Sequence, residues 1–183
     1  MAGLAEPRAG DPSPTPAPPP APRRDTAAPC TRGCPLGIDI PEITAALARD
    51  EPDTALRQVL DRTPFPSFCA CLCHHPCQAA CLLGAGVRPV AIRHLVRHAI
   101  ERARPAAARP VPPPSGRRVA VVGGGPSGLA AAYALGLAGH RVTVLDRADR
   151  PGGTAGGAIP TFRLPDALLR QDLDRVFGAG VVL

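Results

Sequence analysis

Four cysteines, Cys69, Cys73, Cys77 and Cys81, recur at every fourth residue, and on one continuous helix they would spread over about 18 Å at a rise of about 1.5 Å per residue. No single metal centre reaches that far. Pro76 also interrupts a helix between the second and third of them, so the chain must turn back as loop plus short helix. A second, shorter run, Cys30-Thr-Arg-Gly-Cys34-Pro35, lies upstream, and the thiolates of any one site are expected to come from both runs. The candidate metal ligands are therefore Cys30, Cys34, Cys69, Cys73, Cys77 and Cys81. The Cys-x3-Cys-Pro step is like the end of a bacterial ferredoxin run, where the cysteine before the proline serves a different cluster from its predecessors, and this favours iron–sulfur. Spacing leaves zinc open, because structural zinc sites tolerate two to four residues between paired cysteines. Cys71 would point away from its neighbours in an extended segment and reads as a small apolar filler. His74 and His75 are expected to hydrogen-bond or face solvent beside the site.

The cysteine count of seven is odd, and the N-terminus lacks the apolar core of a secretory signal. The thiols are thus expected to stay reduced, in the cytoplasm, rather than to staple a secreted domain. No segment has the roughly 20 apolar residues needed to cross a bilayer, so no membrane association is expected. The net charge of +6 is carried mostly by arginines scattered over the tail, the linker and one helix face. With one Tyr, four Phe and no Trp there is little to stack on bases, and nucleic-acid binding is not expected. The same scarcity leaves the core to Ala, Leu, Val and Ile, which bury less area per residue, so a bound cofactor would add to it.

Along the chain, residues 1–29 are dominated by Pro and Ala and predict a disordered tail. Residues 30–104 predict a compact helical unit. Its first helix is expected to start at Pro41 with Ile43, Ala46 and Leu47 on one face, and its second to run from Asp53 to Asp61. The last spans Ala91 to Arg104, with Ile92, Leu95, Val96, Ala99 and Ala103 opposite Arg93, Arg97, Arg102 and Arg104. That basic face reads as solvated. Residues 105–115, with five prolines between Pro105 and Pro114, read as a semi-rigid spacer and domain boundary.

Residues 116–183 open on a buried strand, Arg118 to Val122, followed by Gly123-Gly-Gly125-Pro-Ser-Gly128, a helix over Leu129 to Ala138, and a second strand from Arg141 to Leu145 that ends at Asp146. This is the full context of a dinucleotide turn. Gly123 allows the turn, Gly125 lets backbone approach a pyrophosphate, Gly128 lets helix and strand pack closely, and Pro126 suits the first helical position. Free amides at the helix start, Ser127 included, would face the phosphates. Asp146 can accept from a ribose hydroxyl while repelling an added 2′-phosphate, so the site is expected to take FAD or NAD rather than NADP. An inorganic centre just ahead of such a turn suggests electrons passing between it and an organic cofactor.

The succession of Cys-x3-Cys-Pro, Ile-Asp-Ile-Pro (38–41), Pro-Phe-Pro (64–66), Cys-x3-Cys-His-His-Pro-Cys-x3-Cys (69–81) and Pro-Val-Ala-Ile (89–92) resembles the N-terminal iron–sulfur domain of the glutamate synthase small subunit and of dihydropyrimidine dehydrogenase. Past the linker, residues 121–132, Asp146 to Gly153 and Ile159 to Pro165 are similar to the opening of that family's FAD domain. The resemblance implies a helical iron–sulfur domain followed by an incomplete α/β Rossmann-like FAD-binding domain. It implies an FAD-dependent NAD(P)H oxidoreductase that passes electrons to a redox partner subunit or acceptor protein. The acidic-Arg-x4-Gly-Gly step favours FAD; Gly152 and Gly153 carry over as contacts of the cofactor, and Arg147 as a neighbour of its adenosine half. NAD(P)H would be the electron donor of a longer protein.

Three departures shape what the resemblance transfers. Relatives with two 4Fe-4S clusters carry a further Cys-x2-Cys just ahead of the position of Cys30, where this chain reads Arg23-Arg-Asp-Thr-Ala-Ala-Pro29. Relatives also use Gln or Glu at the position of Val96, which cannot bind iron. Six aligned thiolates suffice for one cubane and not two, so one 4Fe-4S cluster is expected, anchored by Cys34, Cys73 and Cys77 and completed by Cys69, Cys30 or Cys81, with Cys69 the first to test. The stretch after Gly153 reads Thr154-Ala155 instead of the relatives' Leu-Leu, so packing against a flavin ring is expected to differ. The length of 183 residues implies an N-terminal fragment or truncated product. A stand-alone electron-transfer or docking module and a zinc-stabilised interaction domain are the two other classes, and no catalytic acid, base or nucleophile is indicated.

Overall fold

A computed structural model describes residues 27–86, 88–104 and 109–183. The expected tail lies outside the described residues except for its last three, as do residues 105–108 of the proline-rich segment.

Proline punctuates the helical part. The first five helices, α1 (Pro29–Gly33), α2 (Ile40–Ala48), α3 (Pro52–Leu60), α4 (Pro66–Cys71) and α5 (Pro76–Ala79), each carry a proline in their first two positions. There its missing N–H is no loss and its fixed φ favours the helix. The prolines therefore start elements here rather than removing them. Asp39 caps α2, its Oδ1 accepting from the Glu42 amide at 3.1 Å. A 3-10 turn at Leu82–Ala85 leads to α6 (Ile92–Arg102), slightly shorter than its periodicity suggests.

α2, α3 and α6 bury the stripes Ile40/Ile43/Ala46, Ala55/Leu56/Val59 and Ile92/Val96/Ala99 against one another, while Leu47, Leu95 and Ala103 sit half-buried at the margin. α4 lies across α6, and α1 lies on α5. Cys71 and Cys77 are buried members of this core.

The second part is built on β1 (Arg118–Val122), α7 (Pro126–Leu137), β2 (Arg141–Leu145), α8 (Thr154–Gly157), α9 (Asp166–Phe177) and β3 (Val181–Val182). The three strands are parallel in the order β1-β2-β3, with Val121 opposite Val144 and Val142 opposite Val181. Val142, Val144 and Val181 pack on Leu129, Ala132 and Tyr133 of α7 and on Val176 of α9. The other sheet face exposes Val122, Leu145 and Val182.

The two parts share side chains. Phe65 is buried in the sheet-side core and stacks on Phe68, ring centroids 4.9 Å apart, while Ala155, Leu164 and Leu169 reach into the helical core. The described end of the proline-rich segment is tied at both sides. Arg109 pairs with Asp61 and donates to the Leu60 carbonyl, and the Ser115 amide donates to the Gly139 carbonyl at 2.9 Å.

Candidate metal and dinucleotide site

The candidate thiols are placed by several short elements. Cys30 lies on α1 and Cys34 caps its C-terminus; Cys69 is on α4, Cys73 in the loop after it, Cys77 on α5, and Cys81 just before the 3-10 turn. Gly33 explains how the two runs meet. A Cβ there would lie 3.0 Å from the Ala80 Cβ and 3.4 Å from the Cys77 Cα, so its absence lets α1 settle onto α5 and brings Cys34 to Cys77. The chain reverses between Cys73 and Cys77 through His75, whose φ of 52° is left-handed. The same residue donates its amide to the Cys73 Sγ at 3.3 Å and sets its Nδ1 3.3 Å from the Cys73 carbonyl oxygen. His74 is exposed.

Electrostatics identifies which thiols are neighbours. Burial pushes the Cys69 thiol up to about 12, and the charges of Cys73, Cys34, Asp172 and Cys77 push in the same direction. Burial likewise raises Cys77 to about 11, followed by Cys34 and Cys73. The Cys69 and Cys77 thiols thus both feel the charges of Cys34 and Cys73, and thiols held this way, Cys77 buried and the other three half-buried, become thiolates most readily against bound cations. Cys81 has another environment: hydrogen bonding to the Val90 backbone, with smaller contributions from Leu83 and Gly84, holds its thiol below the ordinary range. Cys30 is half-buried one turn before Cys34. Cys71, raised by burial, is part of the apolar core, as a filler would be. Among the described residues no three Cys, His, Asp or Glu side chains gather as the ligands of a single ion.

The glycine turn follows its sequence. Gly123 has a φ of 109°, and a Cβ on Gly128 would fall 1.9 Å from the Gly123 carbonyl oxygen, so neither position admits a side chain. A Cβ on Gly125 would meet only open space, which is the cradle a phosphate needs. Gly152 and Gly153 fold back on this turn: the Gly152 amide donates to the Gly124 carbonyl at 2.8 Å, and a Cβ on Gly153 would lie 2.9 Å from the Gly125 Cα. Asp146 receives the Ala148 amide at 2.8 Å and the Gly124 amide at 2.5 Å, bonds that hold its carboxyl below the usual range. Each oxygen keeps a second lone pair for a ribose hydroxyl. Arg147 is exposed beside it.

One cavity of about 410 Å³ joins the two halves. Cys69 and Cys73 line one side, Pro126, Ser127 and Ala130 of α7 the other, and Phe65, Phe68 and Leu72 lie between. Sequence reading misses a further contributor, Asp172 of α9, which is 2% exposed and accepts from the amide and hydroxyl of Ser67 on α4. The local signal is only an acidic residue at a helix position whose neighbours are apolar.

A cysteine-rich helical unit joined across a shared cavity to a parallel-sheet dinucleotide fold defines the class of architecture, and sequence comparison makes it particular. Residues 24–108 match the family model for dihydropyrimidine dehydrogenase domain II, 4Fe-4S cluster, and residues 121–170 match that for an NAD(P)-binding Rossmann-like domain. The chain is 40% identical over 154 residues to the glutamate synthase [NADPH] small chain of Mycobacterium tuberculosis, covering 82% of this chain and 32% of the relative. It is 38% identical to glutamate synthase [NADH] of Saccharomyces cerevisiae over 152 residues, 81% of this chain and 7% of the relative. It is also 38% identical to the NADPH-Fe(3+) oxidoreductase subunit beta of Geobacter sulfurreducens over 161 residues, 84% of this chain and 24% of the relative. The chain thus spans about a third or less of the length of these curated relatives. The resemblance read from the cysteine and glycine motifs is thereby shown, as is the fold class of helical region followed by a partial Rossmann-like domain. Among the described residues no helix is long and apolar enough to cross a membrane.

Proposed function

We propose that this chain is the electron-transfer part of a cytoplasmic, FAD- and iron–sulfur-dependent NAD(P)H oxidoreductase like the glutamate synthase small subunit. The observation that carries this is the cavity with Cys69 and Cys73 on one wall and the opening of α7 on the other. A group held at the glycine turn and a group held by the thiols would border the same space. The relatives' names, with their NADPH, NADH and Fe(3+), support the reading.

Cys34, Cys69, Cys73 and Cys77 are the residues proposed to hold one 4Fe-4S cluster. Their proximity in a partly buried setting suits a polynuclear centre, whose own cations would offset four thiolates. Cys69 fills the place that Val96 cannot, since Val96 is 4% exposed within the apolar core of α6. The His75 amide stabilises charge on the Cys73 sulfur. On the nucleotide side, the bare Gly125 and the free amides of Ser127 and Gly128 would receive a pyrophosphate, and Asp146 with Arg147 the adenosine half. Gly152 and Gly153 keep side chains away from the same surface. When bound, flavin supplies the exchange between a hydride pair and single electrons, and the cluster carries the single electrons onward. A partner subunit or acceptor protein would receive them.

Anaerobic reconstitution followed by iron, sulfide, zinc and flavin determination on one preparation tests this. About four irons and four sulfides per chain, with flavin, are expected. A brown protein that takes no flavin would favour a stand-alone electron-transfer module, and a colourless, iron-free or zinc-only protein would overturn the proposal.

A further inference from the structure

We infer that Asp172, on α9 of the dinucleotide fold, is a positioning residue for the helix that presents Cys69, holding it in place through Ser67. This rests on the proposed function for its redox consequence, while its structural half stands alone.

α4 cannot hold its own start. Phe65 precedes it without a capping side chain, and Pro66 has no amide to offer, so the first free donor is the Ser67 amide. That amide reaches Asp172 Oδ2 at 3.2 Å, and the Ser67 hydroxyl donates to the same oxygen. The other carboxylate oxygen accepts from Arg175 Nη1 at 3.0 Å, and the same nitrogen donates to the Pro64 carbonyl at 2.9 Å. Both faces of the loop that opens α4 are therefore gripped from one turn of α9. Asp172 is 2% exposed and Ser67 1%, and among the described residues no buried side-chain N or O lacks a partner. Satisfied in this way, a buried carboxylate fixes one geometry, and losing it leaves donors unpaired.

Cys69 follows Ser67 by two residues on the same short helix, so a shift of Ser67 moves the thiol. Asp172 also lies close enough for its charge to be felt at Cys69. A fixed anion there opposes added negative charge and would hold the midpoint potential of a neighbouring centre low.

The test uses the full chain and the variants Asp172→Asn, Asp172→Ala and Ser67→Ala, with Asp174→Asn, an exposed carboxylate on the same helix, as charge control. On the metal-free chain, amide hydrogen exchange from Phe68 to Leu72 should quicken at least ten-fold in Asp172→Ala and less in Asp172→Asn and Ser67→Ala, while α2 and α3 stay unchanged. Unchanged exchange over α4 in all three, or an equal rise in α2 and α3, would overturn the inference. On the iron-loaded chain, redox titration should show a higher midpoint potential in Asp172→Asn and none of that shift in Asp174→Asn. Equal potentials in wild type and Asp172→Asn, or an equal shift in the control, would also overturn it. A wild-type chain that shows the exchange pattern yet binds no iron would sink the metal reading and leave the α4–α9 clasp standing.

Discussion

The two halves of the site are assembled by opposite strategies. On the nucleotide side, β1, the glycine turn, α7, β2, Asp146 and Gly152-Gly153 follow one another along the chain, and each group is placed by its own neighbours. On the cysteine side, the proposed ligands come from α1, α4, a loop and α5, elements of four to six residues. Isolated helices that short do not persist in water, so their positions come from contacts with each other and with α9. The comparison teaches where each site is vulnerable: the first to a change of local geometry, the second to a change in any docking partner.

The largest effect expected on that contrast is at the thiols. Cys34→Ser and Cys77→Ser should reduce iron and sulfide per chain at least ten-fold after anaerobic reconstitution, although these residues lie on different elements. Cys71→Ser, between Cys69 and Cys73 in sequence but in the apolar core in space, should keep its iron. Equal iron loss in Cys71→Ser would break the assignment of roles by position in space.

Next in size is the turn. Gly128→Ala places a Cβ 1.9 Å from the Gly123 carbonyl oxygen and should cost about 3 kcal/mol in denaturant unfolding. Gly125→Ala projects into open space and should cost less than about 0.5 kcal/mol, yet weaken dinucleotide binding at least ten-fold, read by flavin retention or nucleotide titration. A destabilised Gly125→Ala with normal binding would show that the bare Cα serves the turn and not the ligand.

Asp172 supplies the pH dependence of the contact between the halves. Burial raises its carboxyl from 3.8 to about 6 against the opposing hydrogen bonds from Ser67 and Arg175. The folded state therefore holds this proton more tightly than the unfolded state. The contribution is fully present below about pH 3.8 and is lost as pH rises through about 6, for a total of about 3 kcal/mol at roughly 1.4 kcal/mol per unit. The difference in unfolding free energy between wild type and Asp172→Asn should change by most of that amount, about 2 kcal/mol, between pH 4 and 7, and a flat difference would refute it. At neutral pH the clasp thus contributes placement more than net stability, as buried ion pairs often do.

What could be read from sequence follows the same division. β1 and β2 are legible to the residue, because valine runs end at glycine and at Asp146, although β1, expected to be buried, leaves Val119 and Val121 only half-buried and Val122 exposed while β2 buries Val142 and Val144. The structural roles of Gly123 and Gly128 are legible too, because a strand–turn–helix specifies them within a few residues. Four-residue spacing shows that the cysteines must fold back, yet does not show that Cys81 turns to the Val90 backbone while Cys69 feels the charge of Cys34. That depends on Gly33 against Ala80 and on Ser67 against Asp172, the latter pair 105 residues apart. Periodicity records which side of a helix is buried and not which helix buries it.

The smallest effect separates exposed charge from buried charge. The basic side of α6, read from sequence as solvated, carries exposed pairs: Arg97 meets Glu101 one turn on at 2.8 Å, both side chains about half exposed, and Arg104 reaches Asp53 on α3. Water screens such pairs, and two long side chains lose rotamer freedom in forming them. Arg97→Ala should therefore cost about 0.3–0.5 kcal/mol in low salt and nothing measurable near 1 M salt, where the screening length falls to about 3 Å. The Asp172–Arg175 pair, buried beneath α4, should keep its effect on α4 exchange at both salt concentrations. If Arg97→Ala instead cost as much as Asp172→Asn, the helical half would owe its arrangement to surface charge, and the contrast between locally built and docked halves would have to be redrawn around α6.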